Sequence, residues 1–168
     1  MKSNPSVSLL IEKLLTDVNS AIRRAEYQSH KLVLVILSDA NRKLLKSELK
    51  NKGIELLNLS SLLSQKLVSL SINERKKLLE EEVSNIANDC GESVWLSKLD
   101  LLCEPSLNSD PMLLLKWLAK SQLIVAIWPG VIEGASLVYA KPGRPDYKTY
   151  PLNEFKNIQV IDACNGVK

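Results

Sequence analysis

Glycine is scarce in this chain: there are six in 168 residues, and none precedes Gly53. A phosphate-binding loop needs glycines, because its backbone amides must converge on the phosphates without side chains intervening. The first third of the sequence therefore lacks any ordinary loop of that kind. Histidine is rarer still. His30 stands alone, leaving one imidazole for any Ser/His or Cys/His pair. The three cysteines, Cys90, Cys103 and Cys164, are odd in number and far apart, and form no C-x-x-C. Neither a disulfide framework nor a zinc site is expected; reduced thiols in a cytoplasmic protein are the simple reading. No apolar run nears the roughly 20 residues of a membrane helix. The longest, residues 32–37, is strand-sized. After Met1-Lys2-Ser3-Asn4-Pro5, Glu12 and Lys13 break any apolar leader, so neither secretion nor a membrane partner is expected.

What is present is ordinary for a globular protein: 45% hydrophobic and 24% charged residues, enough for one cored domain over residues 1–168. The net charge of +3 is unevenly spread. Residues 1–53 carry a balance of +5, residues 54–110 of −5 and residues 111–168 of +3. Basic ends permit contact with nucleic acid or an acidic partner. Solvated helix faces account for the same charges more simply.

Apolar spacing predicts an amphipathic helix over 5–28, with Leu14, Val18, Ala21 and Ala25 on one stripe. Residues 31–37 (KLVLVIL) read as a strand buried on both faces. Ser38 and Asp39 are natural caps for a basic helix over 41–51, ending near Gly53. A strand is expected at 54–59, helices at 60–69 and 73–88, and a third strand at 93–99. Asp110-Pro111 is a cap followed by proline at the first turn, opening a helix to about residue 120. Strands follow at 123–128, stopped by Pro129-Gly130, and more weakly at 136–140 and 158–161. Such alternation predicts an α/β fold, a mainly parallel sheet with helices on both faces.

In that class ligands sit at the carboxyl ends of the strands, beside the first strand-to-helix turn. Here that turn holds Ser38, Asp39, Asn41, Arg42 and Lys43, with no glycine, and Lys43 precedes Leu44 rather than Ser or Thr. The third strand, which should end in a magnesium-holding acid, ends at Ser97; the next carboxylate is Asp100. Both halves of a nucleotide site are thus degenerate. Amides of the helix opening near Asn41, with Arg42, Lys43 and Lys46 close by, keep a residual anion site in play. A helix capped by Asp39 is the plainer reading. No catalytic residue and no metal ligand is expected; His30 lies at the amino end of the first strand, the wrong edge, and Glu80, Glu81 and Glu82 read as a solvated face.

A second segment stands out over 139–150. Tyr139, Tyr147 and Tyr150 interleave with Lys141, Arg144 and Lys148. Aromatics with cations stack on bases and pair with phosphates, or form a protein-binding surface. A rigid Pro/Gly-rich loop burying its tyrosines has the same composition. Should the segment not bind, Lys46 and Lys50 on the basic helix are the next contact candidates.

The run VWLSKLDLLCEPSLNSDPMLLLKWL from Val94, then LIVAIWPG, then YAKPGRPDYKTYP, resembles BrxF, the small P-loop protein of type-three bacteriophage-exclusion (BREX) systems. The resemblance spans roughly residues 8–152 and is best over 101–151, where Glu104-Pro105-Ser106-Leu107, Asp110-Pro111, Trp128-Pro129-Gly130 and Tyr139-Ala140 fall in the family's order. It implies a P-loop NTPase-like (AAA-like) core, an antiviral setting, other defence proteins as partners, and ATP with magnesium as cofactor. The sequence departs from the family at the loop, Ser38 to Lys43, and at Ser97. The expectation is therefore a pseudo-ATPase without cofactor, an accessory subunit that binds proteins, with DNA contact through its basic surfaces and self-association also open. Its rivals are a divergent ATPase and a stand-alone DNA-binding protein.

Overall fold

Six consecutive buried residues set the layout. Strand β1 (Leu32–Leu37) is buried at every position. Alternate side chains of a strand point to opposite faces, and here Leu32, Leu34 and Ile36 join one hydrophobic cluster while Val33, Val35 and Leu37 join another. Such a strand is stable only under helices on both sides. The computed structural model, which describes residues 5–164, supplies them.

On one face lie α1 (Pro5–Ala25) and α2 (Asp39–Asn51). The α1 stripe of Ile11, Leu14, Leu15, Val18, Ala21 and Ala25 follows helical spacing and is buried throughout. Next in the chain come β2 (Leu56–Asn58), α3 (Leu59–Leu67), α4 (Ile72–Asn88), β3 (Ser93–Ser97), α5 (Pro111–Leu118) and β4 (Leu123–Trp128). Helices α3, α4 and α5 pack on the opposite face. The α4 amino end is closed by a reciprocal pair, Ser71 with Glu74, and α5 by Asp110 with Pro111 behind it.

After β4 the chain makes a small antiparallel sheet, β5 (Val131–Glu133), β6 (Ser136–Tyr139) and β7 (Lys148–Pro151), in that order. It then returns as β8 (Gln159–Ala163). The main sheet runs β2-β3-β4-β1-β8, with every pairing parallel. The α/β fold with a mainly parallel sheet is as the sequence predicts. No helix among the described residues is long and apolar enough to cross a membrane. Residues 1–4, at the head of the segment read for a leader, lie outside the described ones.

Three expectations are corrected. The strand at 54–59 shrinks to Leu56–Asn58, because the Asn58 side chain accepts from the Ser61 amide at 3.0 Å and caps α3 from Leu59. Val131–Glu133 is an unforeseen strand. The 139–150 segment, read as a loop, gives both its ends to a β6–β7 hairpin whose register pairs Tyr139 with Lys148 and Leu137 with Tyr150.

Candidate functional site

At the carboxyl end of β1 the chain turns into α2, and the first turn of that helix closes on itself. Ser38, not Asp39, is the cap: its hydroxyl accepts from the Asn41 amide at 3.3 Å, while Asp39 is the first helical residue and exposed. Asn41 is buried, 7% exposed, and its side-chain amide donates to the Ala163 carbonyl of β8 at 3.0 Å. Arg42 reaches two strands at once. Its Nε donates to the Leu37 carbonyl at 3.2 Å and its Nη2 to the Trp128 carbonyl at 3.0 Å. Two consecutive side chains thus tie together the carboxyl ends of β8, β1 and β4. A permanently charged, fork-shaped guanidinium suits that bridge, and buried carbonyls left alone would be costly.

This is where a nucleotide's phosphates would lie in a sheet of this class. The residues present do not fit one. No glycine opens the backbone, the Asn41 amide is taken by Ser38, and Arg42 is committed to carbonyls. On the magnesium side, the Ser97 hydroxyl donates to the Leu57 carbonyl of neighbouring β2 at 2.9 Å. Asp100 sits in a short 3-10 turn and accepts from the Tyr139 hydroxyl at 3.4 Å. Among the described residues no group of three or more His, Cys, Asp or Glu is placed to hold a metal. His30 lies just before β1, at its amino end.

Beside the clamp lies a cavity of about 480 Å³, walled by α2 and floored by the carboxyl ends of β1 to β4. Arg42, Lys43, Lys46 and Lys98 line it against a single carboxylate, Asp39. Leu37, Leu45, Leu56 and Ile127 form its apolar floor, and Asn58 and Ser97 add polar atoms. Lys50 is exposed in the last turn of α2 and is not among the lining residues.

The small sheet is fastened to the main one through Trp128, which is fully buried and donates its indole Nε1 to the Val138 carbonyl at 3.0 Å. Gly130 allows that approach, since a Cβ there would lie 1.8 Å from the same carbonyl oxygen. Tyr150 packs edge-on to Trp128, with ring centroids 5.8 Å apart. Its hydroxyl donates at 3.0 Å to Asp110 Oδ1, the same oxygen that caps α5. Arg144 is exposed but pairs with Asp146 through two bonds of 2.9 and 3.1 Å. Lys141 is exposed, Lys148 and Tyr147 are half-buried, and Tyr139 is tied to Asp100. Two of the three tyrosines therefore clasp the hairpin to the domain.

This clasp has a consequence in alkali. Burial, reinforced by the Asp100 carboxylate, pushes the Tyr139 phenol up to about 12; burial does the same to the Cys103 thiol, also with Asp100 behind it. Burial and Asp110 raise Tyr150 further. A group whose proton is held more tightly when folded contributes stability below its unfolded pKa and loses it as pH climbs through the folded one. The urea midpoint should hold to about pH 9 and fall steadily towards pH 12. In a Tyr150→Phe variant that alkaline fall should be shallower; an unchanged slope would remove Tyr150 from the account.

The molecule is thus an α/β protein with a parallel five-stranded sheet, whose first strand-to-helix turn is tied down by Ser38, Asn41 and Arg42 beside an open, lysine-lined cavity. No protein-family model, curated protein or solved structure matches the chain.

Proposed function

We propose that this protein is a non-catalytic subunit of P-loop descent, acting by binding a protein partner within a bacterial antiphage system. The observation that carries the non-catalytic part is Arg42: a guanidinium bonded to Leu37 and Trp128 stands where phosphates would have to enter. The descent rests on the same resemblance as the setting and is supported by an all-parallel main sheet covered by helices on both faces. The antiphage setting rests on the resemblance to BrxF.

Two measurements test the reading. Purified protein with ATP and magnesium should release phosphate at the background rate, and Lys43→Ala should change nothing. Turnover abolished by that substitution would overturn the non-catalytic claim. Deleting the chain from its host should raise phage plating; unchanged plating would remove the antiphage setting.

A further inference from the structure

We propose that the cavity between α2 and the carboxyl ends of β2 and β3 is a docking groove for an acidic peptide segment bearing an aliphatic anchor side chain. This rests on the binding role proposed above and names the class of partner.

The groove's charge is one-sided and unspent. Arg42 is engaged with carbonyls, but Lys43, Lys46 and Lys98 have no ion-pair partner among the described residues, whose pairs are Lys52–Glu48, Lys66–Glu82 and Arg144–Asp146. Three unpaired ammonium groups around one concavity attract anions more strongly than the same charges on a convex face. Asp39 opposes them only at the α2 end. Lys98 is held in place by its backbone. It adopts φ 54°, a left-handed conformation that a lysine takes at a cost, and its carbonyl accepts from both the amide and the hydroxyl of Ser60. That fixes the backbone from which the Lys98 side chain joins Lys43 and Lys46 in lining the cavity.

The floor decides what kind of anion. Leu37, Leu45, Leu56 and Ile127 are aliphatic, and no aromatic side chain lines the cavity. Single-stranded nucleic acid is bound through aromatic stacking platforms, which this groove lacks. A nucleotide needs converging backbone amides, and the one at Asn41 is capped by Ser38. An aliphatic side chain on an acidic segment meets both the floor and the rim. Asn58 and Ser97, at the ends of β2 and β3, add polar lining for the main chain of such a segment.

The test is fluorescence anisotropy with a labelled twelve-residue peptide repeating Asp-Glu-Leu, titrated against the full chain. Binding should weaken about tenfold or more with Lys46→Glu or with Lys98→Gly, and about fivefold or more when the peptide's leucines become alanines. Lys98→Gly also relieves the backbone strain, so its melting temperature should not fall, which separates lost binding from lost folding. Lys50→Glu, on α2 but outside the groove, should change affinity less than twofold. Absence of peptide binding at millimolar protein would overturn the proposal. So would equal loss with Lys50→Glu, or tighter binding of a twelve-nucleotide deoxythymidine strand with the same lysine dependence. None of these readouts involves ATP, so they fail independently of the hydrolysis assay.

Discussion

Gly130→Ala is expected to lose about 3 kcal/mol or more of stability, because the new methyl overpacks a fixed backbone. Its Cβ would stand 1.8 Å from the Val138 carbonyl oxygen and 2.8 Å from the Trp128 indole nitrogen. Those two atoms are themselves hydrogen-bonded, so neither moves without detaching the small sheet from the large one. In a domain of this size each kcal/mol shifts the melting temperature by roughly 2–4 °C, giving a fall of about 6–12 °C. Trp128 should become wetter, with red-shifted emission in the native state. Gly134→Ala is the control. That glycine has φ +57° but nothing within 4 Å of a Cβ, so only backbone strain of about 1–2 kcal/mol is added. If both variants melt together, the close approach at Gly130 is not what fastens the two sheets.

Arg42→Ala should cost about 2–3 kcal/mol, the scale of charge-assisted hydrogen bonds lost to buried acceptors. Leu37 is 2% exposed and Trp128 fully buried, so water cannot readily replace the guanidinium at their carbonyls. Lysine is not a substitute, because a single ammonium cannot reproduce the planar fork across two strands. Arg42→Lys should therefore recover less than half of the loss. Asn41→Ala, which frees the Ala163 carbonyl, should cost about 1–2 kcal/mol. Because the two residues clamp neighbouring strand ends, the double variant is not expected to be additive. Urea unfolding of the three variants measures this. An Arg42→Ala protein as stable as the parent would mean that the clamp is incidental.

The strands buried on both faces were legible in the sequence. Residues 123–128 form a strand with those bounds, and 31–37 loses only its first residue; continuous apolar runs leave a buried strand few alternatives. Of the small sheet only the strand at 136–140 was legible, and it loses one residue as β6. The sheet's strands are three or four residues long, its hairpin carries prolines and charges, and its alternation of half-buried and exposed residues is confined to the short runs Val131–Glu133 and Lys148–Pro151. Pairing there is settled by Trp128 and Gly130, which lie outside the hairpin.

The candidate site divides in the same way. Missing glycines at Ser38 to Lys43 are visible in any reading of the chain. The clamp is not, because Arg42 meets its acceptor 86 residues away and Asn41 meets its own 122 residues away. Local reasoning also favoured Asp39 as the cap, when the extended backbone one residue earlier puts Ser38 there. Asp100 looked like a displaced strand-end acid. The 3-10 turn after Lys98 carries it instead to Tyr139. The groove cations Lys46 and Lys98 come from segments that only the parallel register of β1 to β4 brings to one edge.

Calorimetric titration of the full chain with ATP and magnesium, paired with a melting curve at 1 mM nucleotide, tests the loss of the nucleotide site most directly. The account predicts no saturable heat and no thermal stabilisation, for the parent and for Lys43→Ala alike. Binding at a Kd of about 10 μM would instead stabilise the protein by about 2.7 kcal/mol at that concentration. That is a rise of roughly 5–11 °C. Such a rise, lost on Lys43→Ala, would contradict the account.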